Sequence, residues 1–511
     1  MKVLFISSVS VTIELENKEL YYSTNSYDVK VNGAVYLKNI NTNVFSLFSL
    51  TPNTEYVISV DGEDDVHIIT DEVSEIISSK DIDIPNDGSK DVTTLLQSLI
   101  DKASKNALVI IEEGKYLFTT LRLKDDITLY LKKGAILSAS INQDDYKEIE
   151  GEILLENNEV FQLGTWEGHP SRMKESMILG INNKNVKIIG EGVIDGNAQL
   201  ATWWQDFKSK PYARPHLVFL NHCQNITIQG VELRNSPQWT VHPYFCKNIN
   251  MYDFTINNPK ISPNTDGINP QCCNGVNIIG VRFSLGDDCI ALKSGKMYIG
   301  KKYKEPTQNV VIRNCLMQYG HGAVVLGSEM SGGLKNITVE RCIFDHTDRG
   351  LRIKTRRGRG DTCIVDGIEF NNIKMTNVLN PLVINMFYFC DPDGKTEYVY
   401  SKEKLPVDDR TPYLGKFTFK NIIATECEQC AGYFYGLPEM PIEEIVIKDS
   451  YFSFKDEASS GTPAMMSFAE VCCKNGFIFR NVKKVKIKDV ELVGNVGEKV
   501  ILDGNDSYEE C

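Results

Sequence analysis

The sequence predicts an all-β protein in which a small N-terminal β-sandwich precedes a parallel β-helix, a solenoid of stacked coils. Three observations support this prediction. Short segments of alternating apolar and polar residues fill most of the chain. A recurring unit returns at a spacing of roughly 23 to 34 residues through the central part, as in solenoids. No long helical pattern accompanies it, which excludes helical repeats and βαβ units.

Residues 1–80 form the first predicted domain. Alternating segments at 27–36 and 56–60 are separated by turn-rich stretches, as in antiparallel sheets. The segment 50–56, Leu-Thr-Pro-Asn-Thr-Glu-Tyr, resembles the corner of a fibronectin type III sandwich, where a tyrosine hydroxyl bonds back to the chain. The resemblance implies a fibronectin type III-like β-sandwich. We interpret it as a spacer or packing domain rather than a substrate-binding module.

Residues 81–511 form the second predicted domain, and its first part, 81–107, is read as a link and a cap. Residues 81–88 are polar and contain a proline. Residues 91–105 have helical periodicity, with apolar side chains at Val92, Leu95, Leu96, Leu99 and Ile100. A helix there would close the open end of the solenoid, because a terminal repeat needs a different closing element.

From about residue 108 the chain repeats one unit: an Asn or Gly, an alternating Val/Ile run, and a polar or glycine turn. A leucine-rich repeat would need a Leu-dominated consensus, which is absent. The sequence therefore predicts parallel strands stacked coil on coil. The units begin at Asn185, Asn225, Asn248, Gly275, Asn309, Asn336, Gly367, Asn421 and Glu444.

Composition limits the function classes and the location. The 511 residues carry a net charge of −13, which argues against generic nucleic-acid binding. No apolar run approaches the ~20 residues of a membrane-spanning helix. The start of the chain, residues 1–11, is interrupted by serines and leads into an alternating segment, so we read it as a strand rather than a signal peptide. A cytoplasmic location is expected.

The 14 cysteines all follow residue 222. A secreted disulfide framework is not expected in a large chain without a signal, and most cysteines are predicted to pack as small buried residues. Cys427 and Cys430 have zinc-knuckle spacing but no second pair at a suitable separation. We expect neither a metal nor a cofactor.

Four short polar patterns fall in order in four successive units, each close to a Val/Ile run. Equivalent strands of successive coils lie about 4.8 Å apart, so residues one repeat apart can be neighbours in space. The set supplies three carboxylates, an imidazole and two cations, which are the parts needed to cleave a glycosidic bond beside an anionic sugar. The patterns are Asn264-Thr265-Asp266, Gly286-Asp287-Asp288, Gly320-His321-Gly322 and Arg352-Ile353-Lys354.

Strand alternation predicts which of these side chains face the groove. Asn264 and Asp266 are two positions apart, as are Arg352 and Lys354, so each pair can point outward while the residue between them points inward. Asp287 and Asp288 are adjacent, and a bend or bulge at Gly286 would let both reach the groove. Carboxylates so close cannot all ionise easily, so one of their pKa values should be raised, as a general acid requires.

With these four motifs in order, residues from about 80 to 500 resemble the polygalacturonases of glycoside hydrolase family 28. The resemblance implies a right-handed parallel β-helix and hydrolysis of pectic α-1,4-galacturonate bonds by inverting single displacement. It implies that Asp287 is the general acid, that Asp266 and Asp288 hold and deprotonate the attacking water, and that His321 tunes the acid. Whether Asp287 or Asp288 is the acid remains open.

Several further features belong to the same resemblance. Arg352 and Lys354 would bind a galacturonate carboxylate on the leaving-group side. The segments 327–333 and 347–352 look like the bacterial exo-acting branch, in which an N-terminal fibronectin-like domain also occurs. The expected partner is therefore a pectic oligosaccharide or polygalacturonate, attacked from a chain end.

Weaker binding candidates surround the four motifs. Asn264 is a substrate-binding candidate as part of the Asn264-Thr265-Asp266 motif. Lys293 could reach the groove from the strand that follows Asp288. Trp239 and His242 could form a sugar-stacking or end-blocking wall, together with the tryptophans 203 and 204. Packing in the core or in loops is the competing interpretation of the aromatic residues.

Four alternative functions remain open at this level. The basic run from Arg352 to Arg359 could be a nucleic-acid patch, although guanidinium groups also match carboxylates. The substrate could be another pectic backbone, such as rhamnogalacturonan. A pectate lyase of the same fold type would use calcium and a basic residue. The solenoid could also bind carbohydrate without catalysis. Oligomeric state is not predicted.

Overall fold

The computed structural model describes residues 1–149, 151–154, 160–205 and 214–510. Most of these residues form a parallel β-helix whose coils stack strand on strand. Its largest sheet holds 23 strands. They are Ile76–Ser78, Asp87–Asp91, Ala107–Ile111, Gly114–Phe118, Ile127–Leu131, Ala135–Ala139, Lys184–Gly190, Val193–Asp195, Gln224–Gln229, Glu232–Arg234, Lys247–Tyr252, Thr255–Asn257, Asn274–Ile279, Arg282–Ser284, Thr307–Arg313, Leu316–Gln318, Leu334–Asp345, Ile364–Thr376, Tyr413–Leu414, Lys416–Cys427, Ile442–Phe454, Val482–Val493 and Ser507–Glu510.

A second face of the solenoid carries the predicted motifs, and we call it the floor sheet. It consists of a four-stranded and a seven-stranded parallel sheet. Ile268 joins the two, because it forms a single parallel bridge to Val241 on one side and to Ile290 on the other. The four are Leu121–Arg122, Ile178–Ile181, Val218–Asn221 and Val241–Tyr244. The seven are Asp288–Leu292, Gly322–Gly327, Arg349–Lys354, Asn380–Asn385, Cys430–Tyr435, Asn475–Arg480 and Val500–Asp503.

The residue that opens each predicted unit has a common backbone conformation. Asn185, Asn225 and Asn248 have φ values of 57°, 56° and 55°, in the left-handed region that Asn and Gly tolerate best. Their side chains also form a ladder, since the Asn225 amide donates to Asn185 at 2.9 Å and the Asn248 amide to Asn225 at 3.1 Å. Of the predicted unit starts, Glu444 alone lacks a positive φ.

The interior of the solenoid is one apolar core that runs through the stacked coils. Of the 13 cysteines described, 11 are buried and all are free thiols. Cys315 and Cys342 illustrate their packing, because the amide of Cys315 points to the sulfur of Cys342 in the next coil at 3.4 Å. Cys427 and Cys430 also lie in this core.

Residues 2–69 form a sandwich of two antiparallel sheets over a core of their own. As predicted for the corner segment, the Tyr56 hydroxyl accepts a hydrogen bond from the Thr51 amide at 2.9 Å. The assignment to the fibronectin type III class remains a prediction. One sheet contains Lys2–Ile6, Val11–Glu14 and Val44–Leu47, and the other Ala34–Thr42, Tyr22–Val31, Glu55–Val60 and Val66–Ile69.

The solenoid begins earlier than the predicted boundary at residue 80. The strand Ile76–Ser78 already pairs with Ala107–Ile111, and Asp87–Asp91, placed in the link by sequence, pairs with Gly114–Phe118. The polar side chains of this stretch hid its strands, because at the end of a solenoid one face meets water. The predicted capping helix is present as α1, Thr93–Lys102, with Leu96, Leu99 and Ile100 buried.

The remaining helices are short: α2 spans Met297–Tyr303 and α3 spans Glu397–Tyr400, with 3₁₀ turns at Gln143–Asp145 and Ala198–Leu200. Among the residues described, no helix has the length and apolar character to span a membrane. Two small hairpins project from the solenoid beside the floor sheet, Glu152–Leu154 with Val160–Gln162 and Thr165–Trp166 with His169–Pro170.

The sandwich is docked on the 23-stranded sheet through buried polar contacts. Glu14, 2% exposed, accepts from the Arg313 guanidinium at 2.7 Å, from Arg341 at 2.5 Å and from the Asn314 amide at 2.7 Å. Nearby, the Ser10 hydroxyl donates to the Gln229 side chain at 2.7 Å. A carboxylate buried among such donors fixes the position of the domain, because leaving it unpaired would be costly.

Candidate active site

A cleft of about 340 Å³ opens on the floor sheet where the four motifs meet. Nine of the ten predicted site residues line it: Asn264, Asp266, Asp287, Asp288, Lys293, His321, Arg352, Lys354 and Trp239. The tenth, His242, does not. The other lining residues are Glu167, Ser328, Glu329, Asp348, Arg349, Tyr388 and Met465.

The three aspartates meet because the chain bends before the floor strand Asp288–Leu292. One oxygen from each of Asp266, Asp287 and Asp288 lies within 4.8 Å of the other two. A Cβ at Gly286 would lie 1.9 Å from the Lys260 carbonyl oxygen, so only glycine fits where the backbone turns. Carboxylates so close could ligate a hard cation. Side chains supply positive charge beside them.

Asp288 is the carboxylate that these cations hold most directly. Lys354 Nζ donates to its Oδ2 at 2.8 Å, and Arg352 Nη1 lies 3.5 Å from its Oδ1. Burial of Asp288, which is 2% exposed, opposes ionisation, but Lys354 and Arg352 outweigh burial and hold its pKa below the usual range. Asp288 is therefore ionised at neutral pH and suited to accept a proton.

Asp266 has the opposite electrostatic environment. It is 4% exposed, and burial together with the neighbouring charge of Asp287 raises its pKa well above the usual range. The Asn269 amide donates to its Oδ2 at 3.0 Å. The sequence predicts that one of these carboxyl pKa values is raised, and burial with Asp287 raises that of Asp266. Burial and the charge of Asp287 prevail at Asp266, whereas at the equally buried Asp288 the contacts of Lys354 and Arg352 outweigh burial.

Asp287 lies at the open side of the cleft with His321. Its side chain is 19% exposed, and its Oδ1 lies 3.4 Å from His321 Nδ1. The hydrogen bond to Asp287 raises the pKa of His321 above its ordinary value, despite partial burial. The backbone amide of Asn264 also donates to Asp287 Oδ2 at 3.1 Å. This arrangement favours the protonated imidazole of His321 beside the mouth of the cleft.

The lysine at 293 and the tryptophan at 239 form one side of the cleft. Lys293 Nζ lies 2.9 Å from Glu329 Oε2 and 4.5 Å from the centre of the Trp239 ring. Lys293 is buried, yet Glu329 and Asp266 raise its pKa, while Lys293 and Lys296 lower that of Glu329 against the effect of burial. Lys293 is therefore a fixed cation in the wall.

His242 lies beneath this wall and is 0% exposed. Its ring meets Trp239 edge-on at 4.9 Å and stacks on His216 at 4.9 Å, and its Nε2 lies 3.2 Å from Gln271 Oε1. Burial lowers its pKa to about 3, so it is neutral. It has the correct strand orientation but is covered, so it supports Trp239 rather than reaching substrate. Trp203 is 1% exposed and packs on Tyr146.

Sequence reasoning did not select several lining residues. Arg349 begins the strand that carries Arg352 and lies three positions before it. Glu167 and Met465 come from irregular segments far away in sequence, where no periodic signal exists. Tyr388 lies 5.9 Å from Lys354 Nζ, measured to the ring centre. Arg214 donates to the Asn264 side-chain oxygen at 2.8 Å and so positions that residue.

One end of the groove is closed by what we call the upstream cover, the described residues from 160 to 175. Outward side chains of the preceding floor strands, Phe219 and Tyr244, are 0% and 1% exposed because Phe161 and Met173 pack on them. At its tip, Trp166 stacks on Trp239 with ring centres 6.5 Å apart. Substrate cannot continue along the floor in that direction.

The rest of the basic run beyond Lys354 forms buried ion pairs. Arg357 is paired with Glu439 at 2.5 Å, and Arg359 and Arg356 with Asp391 at 2.6 Å and 3.1 Å. Each of the three arginines is at most 4% exposed. These side chains therefore brace the loops beside the cleft and do not present a basic surface to a nucleic acid.

Comparison with known proteins identifies a family model and several relatives that match most of the solenoid. Residues 133–430 match the model of glycosyl hydrolases family 28. A "Probable polygalacturonase" of Vitis vinifera is 36% identical over 284 residues, which are 54% of this chain and 56% of that protein. An exo-poly-alpha-D-galacturonosidase of Dickeya chrysanthemi is 26% identical over 424 residues, 73% of this chain and 66% of the relative. The chain thus spans little more than half the length of the Vitis relative.

Solved structures show the same architecture. The family 28 exopolygalacturonase of Yersinia enterocolitica aligns with a TM-score of 0.65 and 20% identity, covering 99% of this chain and 97% of that one. The exopolygalacturonase of Thermotoga maritima aligns with a TM-score of 0.64 and 24% identity, covering 84% and 92%. The predicted right-handed parallel β-helix is confirmed.

Proposed function

Because the chain belongs to glycosyl hydrolases family 28, we propose that it hydrolyses α-1,4 bonds of galacturonate chains from one end. The observation that carries the proposal is the meeting of Asp266, Asp287 and Asp288 with His321, Arg352 and Lys354 in one cleft. Acid, base and carboxylate-binding groups are all required to cleave a bond beside a uronate, and all line this cleft.

The division of roles follows from the protonation of each group. Asp287, which lies beside His321 at the mouth, protonates the glycosidic oxygen as the bond to the anomeric carbon breaks. Water attacks that carbon and transfers a proton to Asp288, which Lys354 and Arg352 keep ionised. Asp266, which retains its proton, holds the water. The products are a shortened chain and a released sugar acid.

Inversion at the anomeric carbon is part of the proposal. Its support is the family resemblance, in which two carboxylates act on a water molecule. The oxygen separations of up to 4.8 Å are shorter than the roughly 6.5–9.5 Å between carboxyl groups usual in inverting enzymes, so spacing alone does not favour this outcome. Proton NMR of the first product, recorded before mutarotation, tests it: a product that keeps the anomeric configuration of the substrate contradicts single displacement.

End-wise action is supported by the upstream cover. Arg352 and Lys354 lie on the downstream side of the aspartates and are proposed to bind the leaving sugar. The non-reducing sugar then lies against Trp239 and Glu167, where the cover ends the groove. Only a chain end fits such a site. The relatives from Dickeya and Yersinia are named as exo-acting enzymes, which agrees with this direction of attack.

Product analysis over time is the decisive experiment. Incubation with hexagalacturonate should release monogalacturonate or digalacturonate as the single early product. A ladder of intermediate oligomers from the first time points would overturn end-wise action. A product with unsaturated-uronate absorbance would instead indicate a lyase. Rhamnogalacturonan oligomers in a parallel reaction separate the two candidate pectic backbones.

We propose that the protein acts in a reducing compartment, as expected for the cytoplasm. The support is that all 13 described cysteines are free thiols and that Cys390 and Cys473 are exposed. Cell fractionation followed by thiol labelling tests this location: recovery outside the cytoplasm, or oxidised cysteines in freshly isolated protein, contradicts it.

A further inference from the structure

The groove is covered downstream of the cleft as well as upstream. Strand pairing continues the outward row of Arg352 through Val383, Tyr433 and Ile478 in the next three coils. Outward side chains of an open groove should be exposed to solvent, yet these three are 2%, 1% and 1% exposed. Another part of the chain therefore lies on this portion of the floor.

The covering element is a segment that we call the strap, Gly461–Cys472. Its ends pair as an antiparallel bridge, with the Gly461 amide donating to Cys472 O at 3.0 Å and the Cys472 amide to Gly461 O at 2.9 Å. Between the ends, Met466 packs over Tyr433, its sulfur 3.9 Å from the tyrosine hydroxyl. The strap is thus anchored to the floor rather than free.

The strap also meets the loop on the opposite side of the groove. Tyr388 and Met466 form an antiparallel bridge, and the Phe389 amide donates to the Met465 carbonyl at 3.3 Å. The Arg349 guanidinium donates to Pro463 O at 3.3 Å. The strap therefore crosses the groove directly downstream of Arg349 and Arg352, which both belong to the floor strand Arg349–Lys354.

We infer that the preferred substrates are short galacturonate oligomers, above all digalacturonate, rather than the polymer. The inference rests on the proposed function. The Arg352 and Lys354 side chains, 9% and 12% exposed, lie at floor level, so a sugar held by them lies on the floor with the strap immediately beyond. Any further sugar must turn away from the sheet and leave through the mouth, and it gains no floor contact there. Longer oligomers therefore bind no more tightly than digalacturonate, and they lose conformational entropy because the chain must turn away from the floor.

The experiment compares kcat/KM per non-reducing end for digalacturonate, hexagalacturonate and polygalacturonate. We expect the value for digalacturonate to exceed that for the polymer by about tenfold, the discrimination that a poorly accommodated group commonly produces. Values that are equal, or that rise with chain length, overturn the inference while leaving the hydrolase intact. Failure to cleave any of the three substrates overturns the proposed function itself.

Two variants connect the preference to the strap. In the first, Asn-Gly replaces residues 462–471, because a two-residue turn can close the bridged pair Gly461 and Cys472. In the second, Met466→Ala, the strap keeps its backbone but loses its anchor on Tyr433. Both should raise the ratio of hexagalacturonate to digalacturonate kcat/KM, the first by about tenfold. Val471→Ser, at a position 69% exposed on the same strap, is the control and should keep the wild-type ratio. If folded Met466→Ala keeps the wild-type ratio too, the strap is not the determinant.

Discussion

Asp266 and Asp288 face the same small volume of the cleft, yet their surroundings drive protonation in opposite directions. Asp288 has two cations within 3.5 Å, whereas Asp266 has an amide and a neighbouring carboxylate. Neutralising the two residues should therefore have different costs for folding but the same effect on turnover.

We predict that Asp266→Asn and Asp288→Asn both lower kcat by orders of magnitude. Asp266→Asn should leave the midpoint of thermal unfolding nearly unchanged at neutral pH, because burial and Asp287 already favour the neutral form of the wild-type carboxyl. Asp288→Asn leaves Lys354 and Arg352 without their counter-charge, which should destabilise by roughly 3 kcal/mol. Denaturant unfolding of the two variants measures the difference, and equal stability losses would contradict the assigned protonation states.

His321 should set the basic limb of the pH–kcat profile. Asp287 raises the pKa of His321 above 6.5, so His321 holds its proton below that raised pKa and loses it as the pH rises through it. His321→Ala should move the basic limb to lower pH. His346→Ala is a matched control, since its side chain is 53% exposed against 54% for His321 and it pairs with Asp345 outside the cleft. A basic limb unmoved by His321→Ala argues against a role of the His321 proton in turnover.

Lys354 should set the acidic limb. A base with a depressed pKa stays ionised until the pH falls through that pKa, and Lys354 contributes much of the depression at Asp288. Lys354→Met removes this contribution, so the acidic limb of kcat should move to higher pH, and KM should rise because a substrate contact is lost. A rise in KM with an unmoved acidic limb would assign Lys354 to binding alone.

At the level of elements, the sequence predicted the floor strands well and their covers poorly. Strand parity gives the orientation of Arg352 and Lys354, because Ile353 between them lies in the core. Asp266 lies outside any strand, and Asp288 is the first residue of its strand, after the bend at Gly286, so local bends rather than parity bring these two to the cleft. The upstream cover and the strap are irregular segments that each occur once, so the sequence repeat does not predict them. His242 shows the consequence: its parity is correct, but the cover and Trp239 lie above it.

The N-terminal elements show a second limit of pattern analysis. Alternation predicted a sandwich of short strands, and two packed antiparallel sheets are present. The boundary at residue 80 was placed too late, because Ile76–Ser78 gives no apolar signal beyond two isoleucines and pairs only through long-range contact with Ala107–Ile111. Local sequence cannot show such a partner.

For the whole molecule, the docked sandwich should unfold together with the solenoid. Glu14 is buried between Arg313 and Arg341, so Glu14→Gln leaves two cations poorly compensated and should cost roughly 3 kcal/mol. Calorimetry should show one transition shifted to lower temperature. Lys38→Gln, on the outer sheet of the sandwich, is a suitable control and should leave the transition in place. A separate early transition for residues 1–75 would contradict the fixed docking. Turnover of small substrates should not change, because no residue of the sandwich lines the cleft.

The asparagine ladder has a consequence for how the chain reaches this state. A coil that slipped by one residue would move Asn225 out of the left-handed bend and force a neighbour such as Ile226 into it, at about 1–2 kcal/mol. It would also break the side-chain link to Asn185 and Asn248. Each correctly paired coil thus favours the correct register of the next coil, so the asparagine ladder disfavours slipped registers while the solenoid folds.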